Sequence, residues 1–130
     1  MKLGDQFTRD FEVNRAVYEG FINIFKDRNE LHTDRVFAQS KGFTSEVMHG
    51  NILNGFLSYF IGECLPIRNV IIYSQEIKFS KPVYLNDKLK FQAEISGVFE
   101  SVKAFEFRFQ FKNEHDINIA KGKIQVGILL

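Results

Sequence analysis

Tryptophan is absent from the 130 residues, while cysteine occurs once, proline twice and histidine three times. A single cysteine, Cys64, excludes an internal disulfide and with it a secreted fold held by covalent staples. Its neighbours Glu63, Leu65 and Pro66 supply neither a base nor a second metal ligand, so it reads as a small buried hydrophobe. Three scattered histidines, with no second cysteine and no clustered carboxylates, predict no metal site. Charge of one sign is missing too: 17 basic side chains face 16 acidic ones, for a formal net charge of +1. Binding nucleic acid by neutralising phosphates needs a far more basic chain. No window reaches ~18 uninterrupted apolar residues, so no membrane span is expected. The start Met1-Lys2-Leu3-Gly4-Asp5 has no apolar signal stretch, and a cytoplasmic protein is the expectation.

What is present is phenylalanine, 15 in all, within a chain that is 45% hydrophobic and 25% charged. That balance is globular, and the length suits one domain over residues 1–130 with one core. Phe has no polar handle, so it fills a core or lines an apolar cavity without needing a partner. Residues 3–13 read as a first strand. Asn14 is placed to cap a helix over 15–25 whose apolar stripe is Val17, Phe21, Ile24 and Phe25. Residues 26–31 are polar and read as a loop, and Thr33 or Asp34 would cap a short helix ending near Gly42.

Residues 51–65 form the most apolar helix, stopped by Pro66. Ile52, Leu53, Phe56, Leu57, Phe60 and Ile61 surround most of it, which predicts burial rather than half-exposure. One stripe of Asn51, Gly55, Ser58 and Gly62 is small or polar. Beyond it the pattern turns to period two, in Leu89 to Ile95, Phe105 to Phe111 and Ile124 to Ile128. Val70 to Phe79 alternates less cleanly, as if partly buried on both faces. Turn signals stand at Asn86-Asp87, Gly97 and 113–118. Antiparallel strands with one apolar face need an apolar cover, and helix 51–65 is the only candidate long enough.

The chemistry concentrates in Asp27-Arg28-Asn29-Glu30-Leu31-His32 and in His49-Gly50, which opens the apolar helix. An acid and an imidazole this close can hold one water between them. A glycine at a helix N-terminus can offer a bare backbone N–H to a carbonyl. These are the parts needed to add water to an activated double bond or to remove it.

The order Asp-x-Asn-x-x-His followed by His-Gly resembles the active-site motif of the MaoC-like, (R)-specific enoyl-CoA hydratases. Ser58 and the stretch Phe79-Ser80-Lys81-Pro82-Val83 resemble that family at further positions. The likeness covers roughly residues 20 to 90. It implies a single α+β hot-dog fold, an antiparallel sheet wrapped around a long central helix, in agreement with the pattern of strands and helix above.

By the same resemblance Asp27, His32 and Gly50 are the catalytic positions, with Asn29, Ser58, His49 and Asn51 against the substrate. The implied reaction adds water to a trans-2-enoyl thioester to give the (R)-3-hydroxyacyl thioester, or reverses it. CoA or acyl carrier protein would carry the acyl group, no cofactor is implied, and a homodimer is expected. For His49 a structural role that shapes the turn is the favoured reading, and for Ser58 a bond back to its own helix is the alternative. The competing functions are a hot-dog thioesterase and a non-catalytic acyl-binding subunit, although the latter needs neither Asp27 nor His32. Departures from the pattern are Glu30 in place of proline, Lys26 before the aspartate, Asn51 after the glycine, and Asn86-Asp87 for a Gly-Asp turn. None removes a reacting group. Finally, a slot between the small stripe and the Phe rings at 105–111 would admit acyl chains beyond four carbons, whereas flush packing would close it.

Overall fold

The computed structural model describes residues 1–130. Strand β1 (Gln6–Glu12) is followed by helices α1 (Arg15–Phe25), α2 (Glu30–Thr33), α3 (Arg35–Ser40) and α4 (Asn51–Glu63). Four longer strands complete the chain: β2 (Val70–Phe79), β3 (Lys88–Phe99), β4 (Ala104–Lys112) and β5 (Asn118–Ile128). All pairings are antiparallel in one five-stranded sheet of order β1-β3-β4-β5-β2. No helix is long and apolar enough to cross a membrane.

Period-two alternation translates directly into packing. Leu89, Phe91, Ala93 and Ile95 of β3 and Phe105, Phe107, Phe109 and Phe111 of β4 are buried on one face. Against them lie Ile52, Leu53, Leu57, Phe60 and Ile61 of α4. Phe60 meets Phe91 at 4.8 Å between centroids and Phe107 edge-on at 5.8 Å. The rings pack flush, so the slot expected between them and the small stripe does not exist.

Three other expectations change. Helix α4 is not buried all round: Asn51, Gly55, Ser58, Tyr59 and Gly62 face outward, because the sheet covers only one side of it. Gly97 marks no turn; it sits at a register shift within β3, which runs on to Phe99 before a 3₁₀ turn at Glu100–Val102. Strand β2, read as partly buried on both faces, lies at the sheet edge with Ile71, Tyr73 and Phe79 exposed. Its uneven alternation reflects a bulge between Ile72 and Ser74 and a single hydrogen-bonded neighbour.

Candidate active site

The segment between α1 and α3 is built from polar side chains that bond to their own backbone, the habit that keeps Asn and Asp in turns and caps. Lys26 ends α1 in the left-handed region at φ 64°, its N–H donating to Ile22 O. Asp27 Oδ1 then accepts from the Asn29 N–H at 3.2 Å. Asn29 Oδ1 caps α2 by accepting from the Leu31 N–H at 3.0 Å, and Asp34 caps α3 through the Phe37 N–H. The stretch read as loop thus contains a one-turn helix, and His32 stands on it. Asn29 is committed to this cap rather than extended toward a ligand.

Long-range bonds anchor the turn. The Val47 N–H donates to Leu31 O at 3.0 Å, and the Met48 N–H donates to Val83 O at 2.8 Å. His32 Nδ1 lies 2.7 Å from the Val47 carbonyl, which can only accept, so Nδ1 carries the proton. Nε2 of His32 therefore presents a lone pair. It points at Asp27 Oδ2, 3.9 Å away. That gap is too long for a direct hydrogen bond and fits one water bonded to both atoms. Two legs of about 2.8 Å close on it at nearly a right angle, within reach of water's own bond angle. The Asp27 side chain is 50% exposed and that of His32 17%, so solvent reaches the pair from the Asp27 side.

Gly50 caps α4 at φ −58° and ψ −33° with no side-chain bond. Its N–H meets no acceptor in the chain, as expected of a helix N-terminus whose first donors lack partners. A Cβ at this position would come to 3.0 Å from the Phe79 ring, so close packing rather than dihedral angle favours glycine here. The Phe-Ser-Lys-Pro-Val stretch is what crowds it.

His49 is buried, 3% exposed, behind His32. Its Nε2–H donates to the Asp27 carbonyl oxygen at 2.8 Å. Burial pushes its pKa below the usual imidazole value, partly offset by that bond to Asp27. Of the two roles considered for it, the geometry matches the structural one: the ring has no open face, being stacked on His32 at 3.9 Å and flanked by Phe21 at 4.6 Å.

One ligand atom each from Asp27, His32 and His49 lie within 4.8 Å of one another, a spacing a metal ion could draw on. With a proton on His49 Nε2 held by the Asp27 carbonyl, that nitrogen has no lone pair to give, and only Asp27 and His32 turn a free lone pair toward this spot.

Two grooves meet at this pair. One, of 790 Å³, runs between α1 and α4 and is walled by Val17, Phe21, Ile24, Phe25, Ile52 and Phe56, with Asp27 and Asn51 at its edge. The other, of 470 Å³, brings His32 and Gly50 together with Phe43, Val47 and the 79–83 stretch. Asn51 lines both, its side chain accepting from Asn54. Ser58 lines neither and lies on the outward face of α4.

Tyr18 was missed by sequence reading. Its hydroxyl donates to the His32 carbonyl at 2.6 Å, and burial raises its pKa so that the donor keeps its proton. Its one available signal was its place a turn before Phe21.

Comparison with known proteins follows this geometry. Residues 5–115 match the family model described as a MaoC like domain. The (R)-specific enoyl-CoA hydratase of Aeromonas caviae is 26% identical over 100 residues, 77% of this chain and 75% of that protein. The (R)-specific enoyl-CoA hydratase of Rhodospirillum rubrum is 30% identical over 88 residues, 68% of this chain and 61% of its own length. Among solved structures, an (R)-hydratase from A. caviae involved in PHA biosynthesis superposes with a TM-score of 0.89. That match covers 98% of this chain and 97% of the other at 22% identity, a likeness of fold.

Proposed function

The chain belongs to the MaoC-like domain family, and from that membership and its site we propose that it is a hydro-lyase acting on acyl thioesters. Water held between Asp27 Oδ2 and His32 Nε2 gives a proton to this pair as its oxygen bonds to C3 of a trans-2-enoyl thioester. The C2=C3 pair becomes the C1=C2 bond as the carbonyl π pair moves onto the thioester oxygen, and the resulting enolate takes at C2 the proton that the Asp27–His32 pair accepted from water. Gly50 N–H and the N-terminal end of α4 meet the oxygen as its charge builds. The product is the (R)-3-hydroxyacyl thioester, and the reverse sequence dehydrates it.

The single observation that carries the reading is the 3.9 Å gap between a carboxylate oxygen and an imidazole lone pair, beside an unused N–H. Two relatives that bear the name (R)-specific enoyl-CoA hydratase support it. Turnover of crotonyl-CoA, followed as loss of conjugated absorbance, tests it. Release of free thiol without that loss would instead favour a thioesterase.

The acyl chain belongs, in this reading, in the apolar groove between α1 and α4, since the sheet side of α4 is closed. Six- and eight-carbon enoyl thioesters are expected to match or exceed crotonyl-CoA in kcat/KM. Each methylene buried adds at most about 0.8 kcal/mol. A Cβ at Gly55 would meet nothing within 4 Å, so the fold has room for a side chain there and Gly55→Leu is expected to push into the groove. It should depress the eight-carbon substrate about tenfold more than the four-carbon one, a gap on the order of two such methylenes. Equal effects on both would place the chain elsewhere.

A homodimer completes the proposal. Strand β2 is ten residues long and free of proline, and it exposes Ile71, Tyr73 and Phe79 among Ser74, Gln75, Glu76 and Lys78, whereas edge strand β1 is shorter and carries Arg9, Asp10 and Glu12. A long unpaired edge is a hazard that pairing removes. Joining β2 to its copy would extend the sheet into one continuous sheet with the two α4 helices side by side. Sedimentation at micromolar concentration should give twice the 15.1 kDa chain mass. A 15.1 kDa species would overturn it.

A further inference from the structure

We propose that His49 is a positioning residue of the hydration site, fixing Asp27 by its main chain and His32 by its ring without touching substrate. The proposal rests on the hydro-lyase reading. His32 is restrained along one edge by the Val47 carbonyl, at 2.7 Å, which leaves the ring free to tilt about that bond. The His49 ring removes this freedom by lying against its face, with 3.9 Å between centroids and 28° between planes. Phe21, 4.6 Å from His49, backs the stack.

The second restraint acts on Asp27. Its peptide carbonyl accepts the His49 Nε2–H at 2.8 Å, which sets the plane of the peptide leading to Arg28. From that plane Asn29 N–H holds the carboxylate through Oδ1, leaving Oδ2 to face His32. One buried imidazole therefore sets the spacing of both reacting groups. Placement errors of about 1 Å in such pairs cost on the order of 10²-fold in rate.

The state of His49 follows from its partners. Nδ1 is buried and has no hydrogen-bond partner. Moving the proton there would bury an N–H with no acceptor and leave the Asp27 carbonyl without its donor. A second proton would bury a charge against the His32 ring. Both cost more than the neutral Nε2–H form, in which a lone pair alone goes unpartnered.

Three variants divide the two restraints. His49→Phe keeps a ring and loses the donor. His49→Gln keeps an amide N–H at about the reach of Nε2 and loses the ring, and His49→Ala loses both. Expected are a kcat loss of at least about tenfold in the Phe variant with KM within about threefold, and partial recovery in Gln relative to Ala. Nitrogen NMR of the wild-type imidazoles should show His49 neutral and protonated at Nε2 near neutral pH. Unchanged kcat in the Phe variant would overturn the proposal. So would a loss confined to KM, which marks a substrate contact, or Gln no better than Ala with all loss matched by melting, which marks a packing role only. An Nδ1–H form of His49 would overturn it independently of activity. A wild-type protein inactive on every enoyl thioester would remove the hydro-lyase reading, while the NMR result would still report on the bond to Asp27.

Discussion

Asp27→Asn and His32→Ala are each expected to lower turnover of an enoyl thioester by at least about 10²-fold while the protein stays folded, the scale of a lost general acid–base group. The asparagine variant is the sharper of the two. Its side-chain oxygen can still accept from the Asn29 N–H, so the turn that follows α1 keeps its bond. What is lost is the charge and basicity of Oδ2, 3.9 Å from His32. The alanine variant removes the lone pair that faces the water and frees the Val47 carbonyl. One unpaired acceptor, partly open to solvent, costs on the order of 1 kcal/mol of stability, too little to unfold an ordinary domain. Steady-state rates beside melting curves make the check. Near-normal rates in either folded variant would sink the assigned mechanism.

Gly50 carries the second large effect. Replacing it by proline removes the N–H that is proposed to meet the thioester oxygen, and loss of one such donor lowers kcat by about 10²–10³-fold. The dihedral angles suit the exchange, since φ is −58° and no acceptor in the chain depends on that N–H. Any added side-chain atom, however, comes within 3.0 Å of the Phe79 ring. Gly50→Ala supplies the control: it brings the same crowding and keeps the donor. Phe79 is about half exposed and its ring can shift outward, so alanine should lose much less than proline. If alanine and proline fall together, crowding against Phe79 explains the loss and the oxyanion role fails.

Sequence periodicity was sufficient for the sheet. Alternating Phe105 to Phe111 and Leu89 to Ile95 is a local property, and a strand buried on one face has one way to satisfy it. Caps were nearly as legible: Asn14 bonds where its position predicted, and of the two candidates Thr33 and Asp34 it is Asp34 that caps α3. The order Asp27, Asn29, His32, His49 and Gly50 also carried the family, which the match over residues 5–115 establishes.

Other features had no local signal. Apolar residues around most of α4 suggested burial rather than half-exposure, but a single sheet covers one side of a helix, so the stripe of Gly55, Ser58 and Gly62 stays outside. Which strand becomes an edge depends on the order β1-β3-β4-β5-β2, and composition does not encode it. The part each histidine plays depends on carbonyls of Val47 and Asp27, groups every residue possesses and no side-chain pattern reveals. Local propensity and periodicity thus determined the elements, and the motif order placed the reacting types along the chain. Only tertiary packing decided the proton position on His32, the burial of His49 and the side of α4 left open, because each is set by atoms brought together from distant segments.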